Sequence, residues 1–446
     1  MKKILVILSL ILFSVLAVEA KANKNINANF ESVIQESGVE KNVIAVSIKD
    51  VNNGKVIYQL NEKILMHPAS VQKLLTLPAA IDVLGVEYEF ETKLFSRNDN
   101  EYVLELGADP YLSESDLRKL SKSLPNDTKK VYIDDSIIER KSWGEGWQWD
   151  DDMNILMPKF NAYNLDKNLL KITVLPTQKD ELAMIVNQSK YPLVFFNNIK
   201  TGTSNDIKIV RDTAISANTL LLEGSVNKPT VKTLPINNLK RYFEIKFLNI
   251  LADRNIYMKH NLLDTKVLDS DKEVAKISHP ISVAIDAVLK NSNNLVSETL
   301  AKLAGAKITD STGTDASGIK VFNTYCEKLG IDSSKIRLAD ASGVSKNNLV
   351  SADFISEYLV KNKNNKVLES LPSPGEGTLT HRMLPIKENL KAKTGSLSDI
   401  SSIAGYLTTK KGRKYAFCII INDPTTSSSD KKVLEDFLIR EAYFRL

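Results

Sequence analysis

The feature that most constrains this chain is an interruption. From Glu89 to Asp269 the sequence consists of short β-type runs separated by Asn, Asp, Gly and Pro, as in Lys130-Val131-Tyr132-Ile133-Asp134 and Leu169-Leu170-Lys171-Ile172-Thr173-Val174. On either side the pattern is different. The segment Ile44 to Leu60 alternates around Asn52-Asn53-Gly54 as a β-hairpin does, and apolar residues at helical spacing run from Pro68 to Leu84 before a Gly85 stop. Helical patterns return at Pro280–Leu289, Leu295–Leu303 and Gly318–Leu329. The end reads strand, strand, helix at Ser401–Thr408, Lys414–Ile421 and Ser429–Tyr443. The expectation is one discontinuous domain, 24–88 with 270–446, interrupted by a β-rich insert at 89–269 of one or two subdomains. A polar stretch around Lys21–Asn29 precedes it, and no internal repeat is visible.

At 446 residues, 43% hydrophobic and 25% charged, the chain is a folded protein long enough to bury a sizeable core without a disulfide scaffold. The charge balance, 59 Lys+Arg against 54 Asp+Glu, carries no basic block interleaved with aromatics, which argues against a nucleic-acid partner. His67, His260, His279 and His381 lie far apart, and Cys326 and Cys418 form no CxxC, so no metal site is expected. Cys326 sits in a helix-like stretch and Cys418 in a strand-like one, which favours two buried free thiols over a bridge.

The first twenty residues have the pattern of a Sec-type signal peptide: Lys2 and Lys3, an apolar run from Ile4 to Val18, then Val18-Glu19-Ala20. Ala20-Lys21-Ala22 offers a second cleavage point, and an uncleaved anchor is the alternative, although the run is short of the roughly 20 apolar residues a span needs. Cleavage after Ala20 removes two lysines and one glutamate and leaves a net charge of +4. The expected location is periplasmic or otherwise extracytoplasmic.

Ser70 and Lys73 stand three apart on the first helix, so a lysine amine can reach a serine hydroxyl. Such a hydroxyl is a weak nucleophile until a base takes its proton, and a lysine serves only where burial or a nearby positive charge holds it partly neutral. Alone the pattern is cheap, since Ser225/Lys228, Ser317/Lys320, Ser428/Lys431 and Ser429/Lys432 repeat it. Order and setting discriminate. Ser292-Asn293-Asn294 lies between two helical patterns, and Lys393-Thr394-Gly395 opens the terminal two-strand pattern. A second Lys-Thr-Gly, Lys200-Thr201-Gly202, leads into polar residues and reads as a surface turn of the insert.

Ser-x-x-Lys, Ser-x-Asn and Lys-Thr-Gly form the set found in penicillin-binding proteins and class A β-lactamases. With them the chain resembles the low-molecular-mass, class C penicillin-binding proteins, the D-alanyl-D-alanine carboxypeptidase/endopeptidase family, over nearly the whole mature length. Further matches are Gly107-Ala108-Asp109-Pro110, Tyr132-Ile133-Asp134-Asp135-Ser136, Gly146-Trp147-Gln148-Trp149-Asp150-Asp151, Asp340-Ala341-Ser342-Gly343-Val344-Ser345, and Leu371-Pro372 through Gly375-Glu376-Gly377-Thr378-Leu379. The 219-residue step from Lys73 to Ser292 also fits a family known for a long insertion there. One departure is Lys346, where the family pattern leads one to expect arginine.

The resemblance implies an α/β (α+β) fold of the β-lactamase/transpeptidase type, a five-stranded sheet flanked by helices. It also implies a serine DD-peptidase that removes terminal D-Ala and can cut D-Ala-containing cross-links. Ser70 is the implied nucleophile and Lys73 its base. Lys393 would help keep Lys73 partly neutral and would bind the substrate's terminal carboxylate with Thr394. Ser292 would relay a proton to the leaving D-Ala, and Asn294 would orient Lys73 and the peptide amide. Backbone N–H groups of Ser70 and Ser396 would hold the oxyanion, and Gly395 would let substrate approach the strand. Asp151 would read the amino group of the stem peptide's third residue, with Asp150 or Asp152 as alternatives. Trp147 and Trp149 either line the cleft or anchor the insert, and core packing is the favoured reading. The implied partners are peptidoglycan stem peptides and, as inhibitors, β-lactam antibiotics. No metal or organic cofactor is required, and loose membrane association and homo-oligomerisation are left open. The competing readings are a β-lactamase, which the long insert disfavours, and a catalytically silent cell-wall-binding scaffold, which the complete motif set disfavours.

Overall fold

A computed structural model describes residues 26–258 and 262–446. The leader, its two cleavage points and His260 lie outside the described residues. The fold is mixed α/β. By internal contacts the described residues divide into two compact units, one made of 26–82 with Ile285–Ser292 and Phe322–Leu446, the other of Val83–Ala284 with Asn293–Val321.

The first unit is built on an antiparallel sheet of five strands, β1 (Ile44–Asp50), β2 (Val56–Leu60), β3 (Leu390–Ser396), β4 (Ile400–Thr408) and β5 (Lys414–Asn422), in the spatial order β3-β4-β5-β1-β2. The β1–β2 hairpin turns at the expected Asn-Asn-Gly, with Gly54 at φ +72°. Strand β1 pairs with β5 across the sequence, Val46 opposite Ile419 and Ser47 opposite Cys418. One face carries the main core: Ile44, Val46, Ile48, Ala392, Ile403, Phe417, Ile419 and Ile421 meet Ile26, Phe30 and Ile34 of a helix at 26–37 and Leu434, Leu438 and Ile439 of the C-terminal helix Ser428–Arg445. The polar reading of Lys21–Asn29 missed that first helix, because its apolar spacing emerges only beyond Ile26. The opposite face is covered by the helix Ala352–Lys361, where Ser47 Oγ and Ser356 Oγ are 2.8 Å apart and Tyr406 donates to Leu359 O. Burial on both faces explains the near-continuous apolar run of β5. Cys326 and Cys418 are free and fully buried, and burial pushes the Cys326 thiol up to about 12.

The second unit holds one five-stranded sheet, ordered Leu263–Asp264, Lys130–Asp134, Glu101–Glu105, Glu89–Asn98 and Lys272–Pro280, and two three-stranded sheets. The helix Asn294–Thr309 belongs with it. Gly313 N donates to Ile137 O, Glu139 N donates to Gly313 O, and Lys302 is ion-paired with both Glu139 and Asp315. Two expectations are corrected here. Lys200 and Thr201 are not a turn but the end of the strand Val194–Thr201, which pairs in parallel with Thr219–Val226; the polar residues that follow only end the strand. The two tryptophans part company. Trp147 is buried against Trp143 and Phe160, whereas Trp149 is 87% exposed.

Candidate active site

Ser70 lies in a 3₁₀ turn, Ala69–Gln72, that runs directly into the helix Lys73–Leu84. In 3₁₀ geometry side chains at i and i+3 eclipse, so the turn aligns Ser70 with Lys73 more closely than an α-helix would. Lys73 is fully buried, its Nζ donating to Ser70 Oγ at 2.9 Å and to Ser342 O at 2.6 Å. Ala69 adopts φ +48°, a left-handed conformation that a non-glycine residue holds only when its surroundings enforce it. The enforcement is visible on two sides. Ser402 Oγ of β4 donates to Pro68 O at 2.6 Å. Gly343, at φ +83°, packs so close that a Cβ there would stand 2.0 Å from Ala69 O. Among the other Ser-x-x-Lys pairs, Ser317 Oγ donates to Thr314 O and Lys431 Nζ to Asp423 O, so those groups serve local structure.

Lys393, Thr394, Gly395 and Ser396 occupy the end of β3, an edge strand that pairs among the described residues with β4 alone. Gly395 faces the nucleophile's turn, and a Cβ there would lie 2.8 Å from Ser70 N and 3.0 Å from Ala69 Cβ. The expected need for glycine is therefore a need to bring β3 up to the Ser70 amide. Lys393 is fully buried, and its Nζ donates to Ser292 Oγ and to Thr394 O, both at 2.8 Å. Burial, reinforced by the charge of Lys73, holds the Lys393 ammonium well below the ordinary lysine range. Ser292 itself sits at φ +57°, a second strained position at the same site.

Two segments with no assigned role complete the cluster. Asp340 is buried and accepts from Gly343 N (2.8 Å), Ser345 N (2.7 Å) and Asn348 Nδ2 (2.8 Å), while Gln72 Nε2 donates to Asp340 O at 2.5 Å. This carboxylate shapes the loop whose Ser342 carbonyl receives Lys73. In the other segment, Thr378 Oγ1 meets Thr394 Oγ1 at 2.7 Å. Both segments were visible as motifs, but a backbone carbonyl acceptor leaves no side-chain signature and a lone threonine is too common to single out. Lys346, in place of the expected arginine, lies 3.6 Å from Asp399, both partly exposed.

Asn294 and Asp151 belong to the other compact unit. Asn294 begins the helix Asn294–Thr309, which Asn293 caps by accepting from Val296 N, and its Nδ2 donates to Leu156 O at 2.8 Å. Asp151 lies in the 3₁₀ turn Trp149–Met153, and Asn154 N donates to its carbonyl. Asn294 is thus joined to the segment that carries Asp151. Asp152 is committed to Arg211 Nε (2.5 Å) and Asn237 Nδ2 (3.1 Å), while Asp150 is exposed.

A curated D-alanyl-D-alanine carboxypeptidase, DacB of Haemophilus influenzae, is 26% identical over 91% of this chain and 90% of its own length. A D-alanyl-D-alanine carboxypeptidase of Actinomadura sp. strain R39 is 24% identical over 88% of this chain and 80% of its own. The crystal structure of penicillin-binding protein 4 from Haemophilus influenzae shares the fold, with a TM-score of 0.83 at 23% identity over 93% of this chain and 99% of that one. A second structure of that protein, in complex with a β-lactam, aligns with a TM-score of 0.76, also at 23% identity, over 90% of this chain and 96% of that one. The model of the D-Ala-D-Ala carboxypeptidase 3 (S13) family matches residues 26–440, and the chain belongs to that family.

Proposed function

We propose that this chain is a serine-type D-Ala-D-Ala carboxypeptidase that trims peptidoglycan stem peptides through an acyl-enzyme on Ser70. The observation that carries the reading is the 2.9 Å contact of the buried Lys73 Nζ with Ser70 Oγ, in a chain whose family is shown. Lys73 takes the hydroxyl proton as Ser70 attacks the carbonyl of the D-Ala-D-Ala bond. The oxyanion is held by the N–H groups of Ser70 and Ser396. Gly395 supports this assignment, because it lets β3 approach the Ser70 amide. The proton passes through Ser292 to the leaving amine of D-Ala, and water then releases the shortened peptide.

The two buried lysines share the electrostatic work. Two ammonium groups in one desolvated site resist being charged together. A substrate carboxylate arriving at Lys393 and Thr394 favours the charged form of Lys393 and leaves Lys73 as the base. Asn294 positions the peptide amide, and Asp151 reads the third residue of the stem peptide. The same acyl transfer cuts a cross-link when the leaving amine belongs to a neighbouring stem, which makes endopeptidase activity the second expected outcome. The enzyme works outside the cytoplasm after loss of its leader, as a discontinuous catalytic domain of 24–88 and 270–446 around the insert. Among the described residues no helix is long and apolar enough to cross a membrane.

The test is labelling with a fluorescent penicillin together with D-Ala release from a stem pentapeptide. Wild type is expected to be labelled and to release D-Ala, and Ser70→Ala to do neither. Labelling that survives the substitution, or rapid steady turnover of penicillin without D-Ala release, sinks the reading.

A further inference from the structure

The strained residue Ala69 lies between two planar peptide units, and each unit has its own neighbour. The unit after Ala69 joins Ala69 O to Ser70 N, so the N–H assigned to the oxyanion turns with it. Gly343 packs against its oxygen, where a Cβ would stand 2.0 Å away. The unit before Ala69 joins Pro68 O to Ala69 N, and its oxygen accepts from Ser402 Oγ at 2.6 Å. The direction of that bond is fixed, because a carbonyl oxygen has no hydrogen to give. Only φ and ψ of Ala69 relate the two units, and φ stands at +48°.

Ser402 reaches Pro68 from β4, where it is fully buried and stands directly opposite Gly395 in the ladder. A Cβ on Gly395 would collide with Ser402 Oγ and lie 2.8 Å from Ser70 N. The hydroxyl therefore fills the space that the glycine leaves open, beside the Ser70 amide. At the next pair along the same two strands, Ser401 stands opposite Ser396. Strand β4 is thus tied to both segments assigned to the oxyanion, to the Ser70 turn through a side chain and to Ser396 through strand pairing. A packing contact such as that of Gly343 excludes positions on one side only, whereas a hydrogen bond selects a direction and a distance.

We propose that Ser402 is a positioning residue for the oxyanion site: by donating to Pro68 O it holds Ala69 in its left-handed conformation and sets the spacing between the N–H groups of Ser70 and Ser396. The inference rests on the acyl-transfer reading above and adds to it a residue outside the three motifs.

The test uses the full mature chain with two substrates, a stem-peptide D-alanyl-D-lactate ester and its thiono analogue, in which sulfur replaces the oxygen of the carbonyl to be attacked. Sulfur is larger and a weaker acceptor, so a site spaced for an oxyanion prefers the oxo ester. Removing a whole oxyanion donor costs about 10²–10³ in rate, and displacing one costs less. Ser402→Ala is expected to lower kcat/KM about tenfold on the oxo ester and less than about twofold on the thiono ester. Ser402→Cys fills the same space with a weaker donor and should lose the preference as well. Ser401→Ala, a buried neighbour on the opposite face of the strand, should keep the wild-type ratio. Equal losses on both esters, no loss on either, a cysteine variant with the wild-type ratio, or the same fall in Ser401→Ala would each overturn the proposal. Two measurements on wild type separate the levels. Absence of penicillin labelling overturns the acyl-transfer reading, and absence of a preference for the oxo ester overturns its oxyanion assignment. A labelled wild type whose preference survives Ser402→Ala overturns only the role of Ser402.

Discussion

Two buried lysines, one in each compact unit, are held in opposite ways. Lys302 of the second unit is 1% exposed and carries full compensation: Asp315 at 2.9 Å, Glu139 at 3.0 Å, and the ring of Phe160 4.7 Å beneath its Nζ. Lys393 of the first unit is as deeply buried but has a hydroxyl and a carbonyl for partners, with a second lysine as its electrostatic neighbour. Burying an ion is costly unless an opposite charge or several hydrogen bonds replace the lost water. The chain meets that requirement where a lysine holds structure together and leaves it incomplete at Lys393, the position at which the proposed function places an anionic substrate. The strained φ angles of Ala69 and Ser292 fall in this same undercompensated region.

The largest effect that could break this comparison is on chemistry. Lys393→Met should lower the rate of Ser70 acylation by a factor of about 10³ while leaving the folded state intact, because it removes a charge aimed at the substrate in a water-excluded site. Stopped-flow acylation with a reporter β-lactam measures it, and a variant that acylates at the wild-type rate would end the idea that Lys393 serves the substrate. The matching substitution in the other unit, Lys302→Met, takes one partner from each of two carboxylates, Asp315 keeping Lys141 Nζ at 2.8 Å and Glu139 keeping the Asp315 amide at 2.9 Å. It should cost roughly 2 kcal/mol of stability in a denaturant titration, below the cost of leaving a buried charge without any partner. Acylation by the folded fraction should be unchanged, and a stable Lys302→Met would show that its ion pairs are dispensable.

The smallest effect concerns pH. A lysine whose folded pKa is depressed binds fewer protons in the folded than in the unfolded chain, so its penalty applies below its ordinary value of 10.5 and is relieved as pH rises toward it. The stability of wild type relative to Lys393→Met should therefore improve between pH 7 and pH 10. A flat difference in thermal melts over that interval would mean that Lys393 is not destabilised by burial and Lys73.

Much of this was legible in the primary structure. The hairpin turn, the terminal strand-strand-helix and the three short motifs could be read because each depends on local periodicity or on short spacing, which neighbouring residues determine among themselves. The helix at 26–37 was hidden behind polar residues, and the strand end at Lys200-Thr201 behind the polar residues after it. The exposure of Trp149 was out of reach because aromatic content does not say which face of a loop meets solvent.

The division of labour has a physical basis. Residue type and spacing alone determined that a Ser-x-x-Lys pair, a Ser-Asn-Asn turn and a Lys-Thr-Gly segment were available for acyl transfer, since those groups carry the chemistry wherever they are placed. Only the tertiary structure decided that Ser342 would offer its carbonyl to Lys73, that Gly343 would press on Ala69, and that Thr378 would reach Thr394. The first two join residues far apart in the chain and rest on backbone groups, which every residue possesses and no sequence pattern distinguishes; the third joins two threonine hydroxyls, a residue type too common to single out.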